Sequence, residues 1–543
     1  MVDTSNSKRE KALAEIVVLL RDSGLQGKDD VHRAKIRIAR RYSLERIPSD
    51  AEVLAAAPPG ERERLAPVLR TKAVREASGV VTIAAMTSPE KCPHGKCLYC
   101  PGGVERSSPQ SYTGKEPAAM RGSNYGYDGY AEVYGRLEQL RICGHPTDKV
   151  DLIVMGGTFP ARPLEYQMQF ITGCYAALNG EPPHPNDAEA RSYERRLLDA
   201  LHRNETASSR CIGLTIETRP DWCQEEHIDR MLSFGTTRVE LGVQSLSDEA
   251  LGKMMRGHGV QETMRATQLA RDAGLKVGYH MMPGFPFVKR EDEKRHYARL
   301  FEDECLKPDM LKLYPTLVME GTGLHELWKN GEYRPLSTEE AVELLSELKS
   351  RFPPWVRVQR IQRDIPAQLI GDGVTKSNLR QLVKKRMAEK GLECRCIRCR
   401  EVGHLGIKIQ EGSPPSMKRT SYAAAGGTEE FICLETDGGA LAGYIRLRKP
   451  SPRAHRPELA GGTSAIVREL RVLGEVVPLE ARHGDGWQHR GLGAMLLGEA
   501  ERIASEDWGM ERLLVNSGAG ARGYYRKTGY AMAGPYMGKS IGH

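Results

Sequence analysis

Cys92-Pro-His-Gly-Lys-Cys97-Leu-Tyr-Cys100-Pro-Gly-Gly is the stretch on which the fold turns, and it follows closely on the apolar run Val80 to Met86. Three cysteine thiolates can hold three irons of a cubane 4Fe-4S cluster and leave the fourth iron free for a substrate. An electron-carrying ferredoxin would place a fourth cysteine nearby, and this loop has none. Zinc competes for the same thiolates. Against zinc stands the position, a loop at a strand end followed by a glycine pair that lets backbone approach a ligand.

Outward from that loop, short apolar runs alternate with helical stretches: Val80 to Met86, Val150 to Met155, Cys211 to Glu217, Arg238 to Val243, Leu275 to Met281 and Met310 to Tyr314. Strands alternating with helices imply an α/β fold, a parallel sheet of right-handed crossovers that curls partway into a TIM-like (β/α)6 barrel over residues 76–370. Chemistry gathers at the carboxyl ends of such strands. Gly156 and Gly157 follow one strand, Glu217 and Arg219 end another, and Gln244 and His280 end two more.

Residues 1–75 read as helical, with apolar spacing in Ala12 to Leu20 and Val31 to Ala39 and breaks at Gly24, Gly27 and Pro58-Pro59-Gly60. Residues 371–410 form a basic connector, and 411–543 a C-terminal α+β domain. In the latter, Phe431 to Leu434, Ala442 to Leu447 and Glu469 to Val477 alternate as antiparallel strands do, followed by a helix from Gly491 to Ala504 and a strand at Arg512 to Asn516. Pro450 to Gly462 reads as a mobile hairpin tip.

A chain of 543 residues calls for more than one domain, and 40% hydrophobic with 28% charged residues excludes disordered and membrane classes. The run Ala14 to Leu20 is far too short to cross a bilayer, and Asp3, Lys8, Arg9 and Glu10 leave no signal peptide at the start. The expectation is a cytoplasmic protein without a membrane partner. Twelve cysteines without a secretory signal point to reduced thiols used as ligands. Six of them stand in two tight groups and the scattered remainder read as packing residues.

The second group, Cys394-Arg-Cys396-Ile-Arg-Cys399, suits structural zinc, which wants four N or S ligands. His404 is the nearest candidate for the fourth, with Cys433 or a residue from the barrel as the others, and a second iron-sulfur cluster is the other reading. Around it, Lys376 to Arg400 carries nine Lys or Arg against Glu389 and Glu393. Arg33, Lys35, Arg37, Arg40 and Arg41, then Arg70, Lys72 and Arg75, make further basic runs. Each run alone could be a solvated helix face; together, flanking the cysteine loop, they suit phosphate-backbone binding. Finally, Gln488-His-Arg-Gly491-Leu-Gly493 opens an amphipathic helix with a glycine turn, where free N–H groups and the helix dipole bind pyrophosphate.

The cysteine loop and Gly156-Gly157-Thr158-Phe159 resemble a radical S-adenosylmethionine enzyme, although the usual signature has three residues, not four, between the first two cysteines. With Ser111-Tyr-Thr-Gly114, Glu217-Thr-Arg219-Pro-Asp221, Gly242-Val-Gln244-Ser and His280-Met-Met-Pro-Gly-Phe-Pro286, the chain instead resembles the family of the Elongator catalytic subunit in its free-standing prokaryotic form. The likeness runs to Gly534-Pro-Tyr-Met537, near the end of the chain. It implies a radical S-adenosylmethionine barrel joined to a GNAT acetyltransferase domain, with Gly523-Tyr-Tyr525-Arg-Lys-Thr-Gly-Tyr530 resembling the closing helix and strand of the GNAT fold.

In that family the fourth iron chelates S-adenosylmethionine, and electron transfer then yields a 5'-deoxyadenosyl radical. The resemblance implies that Gly156, Gly157 and Thr158 contact the methionine amino group, and that Glu217, Arg219 and Gln244 contact carboxylate and ribose. Glu469, Leu470, Arg471 and Val472 would pair with the pantetheine arm of acetyl-CoA, Leu492, Gly493 and Ala494 would meet its pyrophosphate, and Tyr525 would lie near the thioester sulfur. Lys149 matches a lysine that reaches acetyl-CoA from the barrel. The implied reaction is C5-carboxymethylation of the wobble uridine of tRNA, with the anticodon stem-loop as partner and an electron donor for the cluster, by a monomer or a homodimer. The rival is a protein lysine acetyltransferase that uses the C-terminal domain alone, with Glu469 as its base.

Overall fold

The computed structural model describes residues 2–23, 28–44, 47–69, 79–182, 193–407, 414–474 and 491–542. The N-terminal helices Val2–Ser23, Lys28–Arg41, Asp50–Ala56 and Pro59–Leu69 build a core of their own from Ala12, Ile16, Leu20, Val31, Ile38 and Val53. Ser49 starts the third helix with a capping box, accepting the Glu52 N–H at 3.2 Å while Glu52 accepts the Ser49 N–H at 2.8 Å. The basic run divides. Arg33, Arg37, Arg40 and Arg41 face outward, but Lys35 is buried and bonds Asp50 at 2.6 Å, so it has no surface role. Arg70, Lys72 and Arg75 lie outside the described residues.

The middle of the chain forms the expected curled parallel sheet. Its strands are β1 (Val81–Met86), β2 (Lys149–Met155), β3 (Arg210–Thr218), β4 (Arg238–Gln244), β5 (Lys276–Met281), β6 (Met310–Leu313) and β7 (Arg357–Arg360), hydrogen-bonded in that order. Helices cross over between most of them, as parallel pairing requires. The seventh strand joins β6 through Met310↔Arg357 and Leu311↔Val358. It went unforeseen because Arg-Val-Gln-Arg is too short and too polar to show an apolar run.

The C-terminal sheet contains β8 (Ser416–Ala424), β9 (Gly427–Glu435), β10 (Leu441–Lys449), β11 (Ser464–Val472), β12 (Arg512–Val515), β13 (Ala531–Ala533) and β14 (Tyr536–Ser540), in the order β8-β9-β10-β11-β12-β14-β13. All neighbours are antiparallel except β11 and β12. The strand expected from Glu469 to Val477 begins earlier, at Ser464, and ends at Val472; residues 475–490 are outside the described set.

This domain seals the amino end of the barrel, opposite the cysteine loop. Asn516 Nδ2 donates to Gly274 O at 3.1 Å and Tyr536 donates to Ala273 O at 3.0 Å, both just ahead of β5. Arg468 bridges Asp309, ahead of β6, at 2.7 Å and Glu429 at 2.6 Å; Arg448 meets Asp272 at 2.6 Å; Arg446 meets Asp309 at 3.4 Å and Glu469 at 3.0 Å. These three arginines are fully buried, as are Asp272 and Asp309. Pro450 to Gly462 is not a free tip: Ser451 donates to Asp272 at 2.5 Å, and His455 and Arg456 meet Asp229 at 2.9 and 3.0 Å.

Candidate active site

The cysteine loop leaves the carboxyl end of β1 and is held from several sides. Leu98 N–H donates to Met254 O at 3.3 Å, and Leu98 O accepts from Leu324 N–H at 2.8 Å. A side chain at Gly102 would press into Tyr112 O and lie 2.7 Å from Pro109 O, which is why glycine stands there. Cys97 and Cys100 are buried and Cys92 is partly exposed. Ser111 N–H donates to Cys100 Sγ at 3.2 Å, Arg256 donates to Cys97 Sγ at 3.5 Å, and His94 Nε2 lies 3.1 Å from the same sulfur. Burial pushes the Cys92 thiol up to about 11 and raises Cys100 as well, while burial with Arg219 and Arg256 nearby holds His94 neutral, down to about 4.

Among the described residues, Cys92, Cys97 and Cys100 are not one of the clusters whose potential ligand atoms all fall within 4.8 Å of one another. Cys394, Cys396 and Cys399 are. Four ligands on one zinc, with Zn–S about 2.3 Å, draw sulfurs to roughly 3.8 Å apart. The first triplet is therefore spread more widely than a single ion would draw it; the second is compact enough for one metal ion.

Gly156 and Gly157 carry φ of 123° and 105°, and a side chain at Gly156 would strike Thr87, whose N–H donates to Met155 O at 2.8 Å. Only glycine lets β1 and β2 stay together beyond their ends. Thr158 Oγ1 lies 3.9 Å from Cys92 Sγ, bringing the strand-end turn to the cysteine loop. Gln244, with φ of 70°, accepts the Met282 N–H at 2.9 Å and lines a small cleft with Ser245, Met282, Phe285 and His296.

Inside the barrel the side chains form a charged column instead of the usual apolar layers. Tyr112 donates to Glu217 at 2.9 Å and Lys312 to the same carboxylate at 3.0 Å; Lys312 also pairs with Glu240. His280 Nε2 lies 3.0 Å from Glu240, and Arg238 links Glu240 at 3.3 Å to Asp151 at 3.2 Å. Burial opposes charge on Glu240, yet Lys312, His280 and Arg238 hold it well below the usual carboxylate range. Glu217 thus pairs with Lys312, whereas Arg219 forks onto Asp221 at 2.9 and 2.8 Å. Lys312, Glu240, Arg238, Asp151 and Arg256 were missed from sequence. Their signal was available: a charge in the middle of an apolar parallel strand, as in Met310-Leu-Lys312-Leu, has no solvent to face.

At the second cysteine group no fourth His or Cys joins among the described residues. His404 meets Glu401 at 3.1 Å and Cys433 donates to Glu435 at 3.4 Å, so neither expected ligand reaches it. Lys349 instead donates to Cys394 Sγ at 3.2 Å and Cys399 Sγ at 3.6 Å.

In the C-terminal domain β11 and β12 pair only from Ser464↔Arg512 to Val467↔Val515 and then part, with Asn516 N–H donating to Val467 O at 3.0 Å. Beyond that fork, no strand among the described residues pairs with Glu469 to Val472 on that edge. The helix Leu492–Arg502 starts beside it, with Gly491 at φ 79°; Gln488, His489 and Arg490 lie outside the described residues. A side chain at Gly493 would come within 3.1 Å of Tyr524 Oη, and Tyr525 is buried with its ring 5.2 Å from that of Tyr524. Lys149 opens β2 at the same amino end and pairs in register with Arg210, which packs on Gly520 near Tyr525; no direct bond joins Lys149 to Tyr525. Burial lowers the Lys149 ammonium.

A half-barrel carrying a three-cysteine loop at its carboxyl end defines a radical S-adenosylmethionine protein, and the Radical SAM superfamily profile matches residues 86–300, followed by the Radical_SAM C-terminal domain over 308–389 and the ELP3 N-terminal domain over 9–77. The chain is 51% identical over 504 residues to the tRNA uridine(34) acetyltransferase of Methanocaldococcus jannaschii, covering 91% of this chain and 90% of that protein. It is 44% identical to human Elongator complex protein 3, covering 97% and 96% respectively. The solved archaeal Elp3 of Methanocaldococcus infernus, lacking residues 1–46 of its own N-terminus, superposes with a TM-score of 0.74 at 46% identity over 85% of this chain and 99% of that one. This chain belongs to the Elongator complex protein 3 family.

Proposed function

We propose that the chain modifies the wobble uridine of tRNA, using acetyl-CoA and S-adenosylmethionine to build a carboxymethyl group at C5. The observation that carries this reading is the pairing of a three-cysteine loop at one end of a charged barrel with a domain sealed onto the other end in which two parallel strands part beyond Val467. Cys92, Cys97 and Cys100 would hold a 4Fe-4S cluster, which when bound supplies the electron that splits S-adenosylmethionine. Gly156, Gly157 and Thr158 would present the strand-end backbone to the methionine portion, with Glu217, Arg219 and Gln244 around carboxylate and ribose.

The open edge Glu469 to Val472 offers backbone groups to a pantetheine arm, and the N–H groups of Leu492, Gly493 and Ala494 at the helix start suit its pyrophosphate. Tyr525, buried beside them, would orient the thioester, and Lys149 would approach from the barrel. Cys394, Cys396 and Cys399 would hold zinc as a structural ion. Exposed Arg33, Arg37 and Arg40, with Lys384 and Lys385, would hold tRNA phosphates.

The lysine acetyltransferase reading is disfavoured at its proposed base. Burial opposes the charge of Glu469, but Lys276, Arg446 and Arg471 hold it ionised down to about 2, too weak a base to take a proton from an ammonium. The test is anaerobic reconstitution with iron and sulfide, followed by labelled acetyl-CoA and tRNA and mass spectrometry of the nucleosides. Label on C5 of uridine is expected, and Cys97→Ser should abolish it while sparing acetyl-CoA binding; label found only on protein lysines would overturn the reading.

A further inference from the structure

Arg256 is buried to 5% exposure, and its side chain makes two bonds: to Gly242 O at 2.6 Å and to Cys97 Sγ at 3.5 Å. Its Nε finds no partner. Every other buried arginine among the described residues has a carboxylate. Arg219 has Asp221; Arg238 has Asp151 and Glu240; Arg271, Arg446, Arg448 and Arg468 share Asp272, Asp309, Glu429 and Glu469; Arg522 has Glu205. No carboxylate pairs with Arg256 among the described residues.

A buried guanidinium without a counter-charge is costly. Folding would not retain it unless an anion arrives. The position of the group says which anion. Gly242, at the end of β4, pins one nitrogen, and the other points at the sulfur of the middle cysteine. Gly257, at φ 67°, lets the chain pass so closely under the loop that an added Cβ would lie 2.7 Å from that of His94. His94 approaches the same sulfur at 3.1 Å from its Nε2.

We infer that Arg256 is the built-in counter-cation of the Cys97 thiolate and sets the reduction potential of the cluster that the loop holds. The inference rests on the reading of the loop as a cluster site. Reduction adds an electron, so a positive donor fixed on a ligand sulfur favours the reduced state and raises the potential. Arg256 is thus a tuning residue, out of reach of a sequence reading because it lies far along the chain from Cys97.

The experiment is a redox titration, followed by electron paramagnetic resonance, of anaerobically reconstituted full-length protein: wild type, Arg256→Lys, Arg256→Gln and Arg256→Met. Iron and sulfide are assayed in each. The neutral variants should hold about tenfold less reduced cluster at a fixed potential, a downward shift of about 59 mV for one electron, with Arg256→Lys close to wild type. Failure of both neutral variants to load iron while Arg256→Lys loads it would also support a charge role. A full cubane in Arg256→Met with an unshifted midpoint overturns the inference alone, and so does iron loss in Arg256→Lys, which would assign the side chain to packing. Wild-type protein without a cubane signal overturns the reading of the loop and this inference together.

Discussion

Glu132 sits beneath β1, fully buried, with its carboxylate accepting the Met86 N–H at 2.9 Å. Burial pushes it up to about 8, against the pull of that backbone bond and of Arg121. A folded pKa above the unfolded value means that the folded state holds the proton longer, so stability falls as pH rises from about 4.5 to about 8. Glu132→Gln should flatten that decline and gain on the order of a few kcal/mol relative to wild type at pH 8, read by urea unfolding at several pH values. Gly156→Ala should cost roughly 2 kcal/mol in the same assay, from the positive φ and the collision with Thr87. At this scale the sequence singles out residues whose type is rare in place, such as Cys92, Gly156 and Tyr525. It hid those whose meaning is a partner: Glu240 becomes informative only when Lys312, His280 and Arg238 converge on it.

Elements were readable where apolar content and length agreed. The first six barrel strands lie within a residue or two of their expected ends, whereas β7 has a single apolar residue among its four. Pro450 to Gly462 has the composition of a loop tip, and nothing local could disclose that Asp229 and Asp272 of the barrel would grip it. The fork between β11 and β12 was equally invisible, since the parting of two strands depends on register. At the start of the adjoining helix, Gly491 occupies the left-handed region, and an added Cβ would meet no described residue within 4 Å. Gly491→Ala therefore introduces backbone strain without a clash, and should weaken acetyl-CoA binding about fivefold through roughly 1 kcal/mol, as measured by titration calorimetry.

On the scale of the molecule, the division into a helical N-terminal segment, a barrel and a C-terminal domain followed from changes in rhythm along the sequence, but their docking did not. Arg271, Arg446 and Arg468 converge on Asp309 from both sides of the interface, all without solvent contact. Asp309→Ala takes the shared carboxylate from all three, leaving Glu429 to Arg271 and Arg468 and Glu469 to Arg446, and should cost about 3–5 kcal/mol. Because the network is buried, the loss measured by urea unfolding should change little between low and moderate salt. Binding of tRNA should show the reverse, weakening steeply with salt as phosphate contacts do. No helix among the described residues is long and apolar enough to cross a membrane.

The C-terminal domain gives the barrel a floor, and that floor is closed by ion pairs at Asp272 and Asp309. At the opposite end of the barrel Cys97 and Cys100 are buried and Cys92 is partly exposed. Dioxygen, which bleaches iron-sulfur centres, would then reach a cluster on these cysteines from the rim side, and a tRNA bound across that rim would act as a stopper. The half-life of cluster colour in air should lengthen when tRNA is present and remain as it was when acetyl-CoA alone is added.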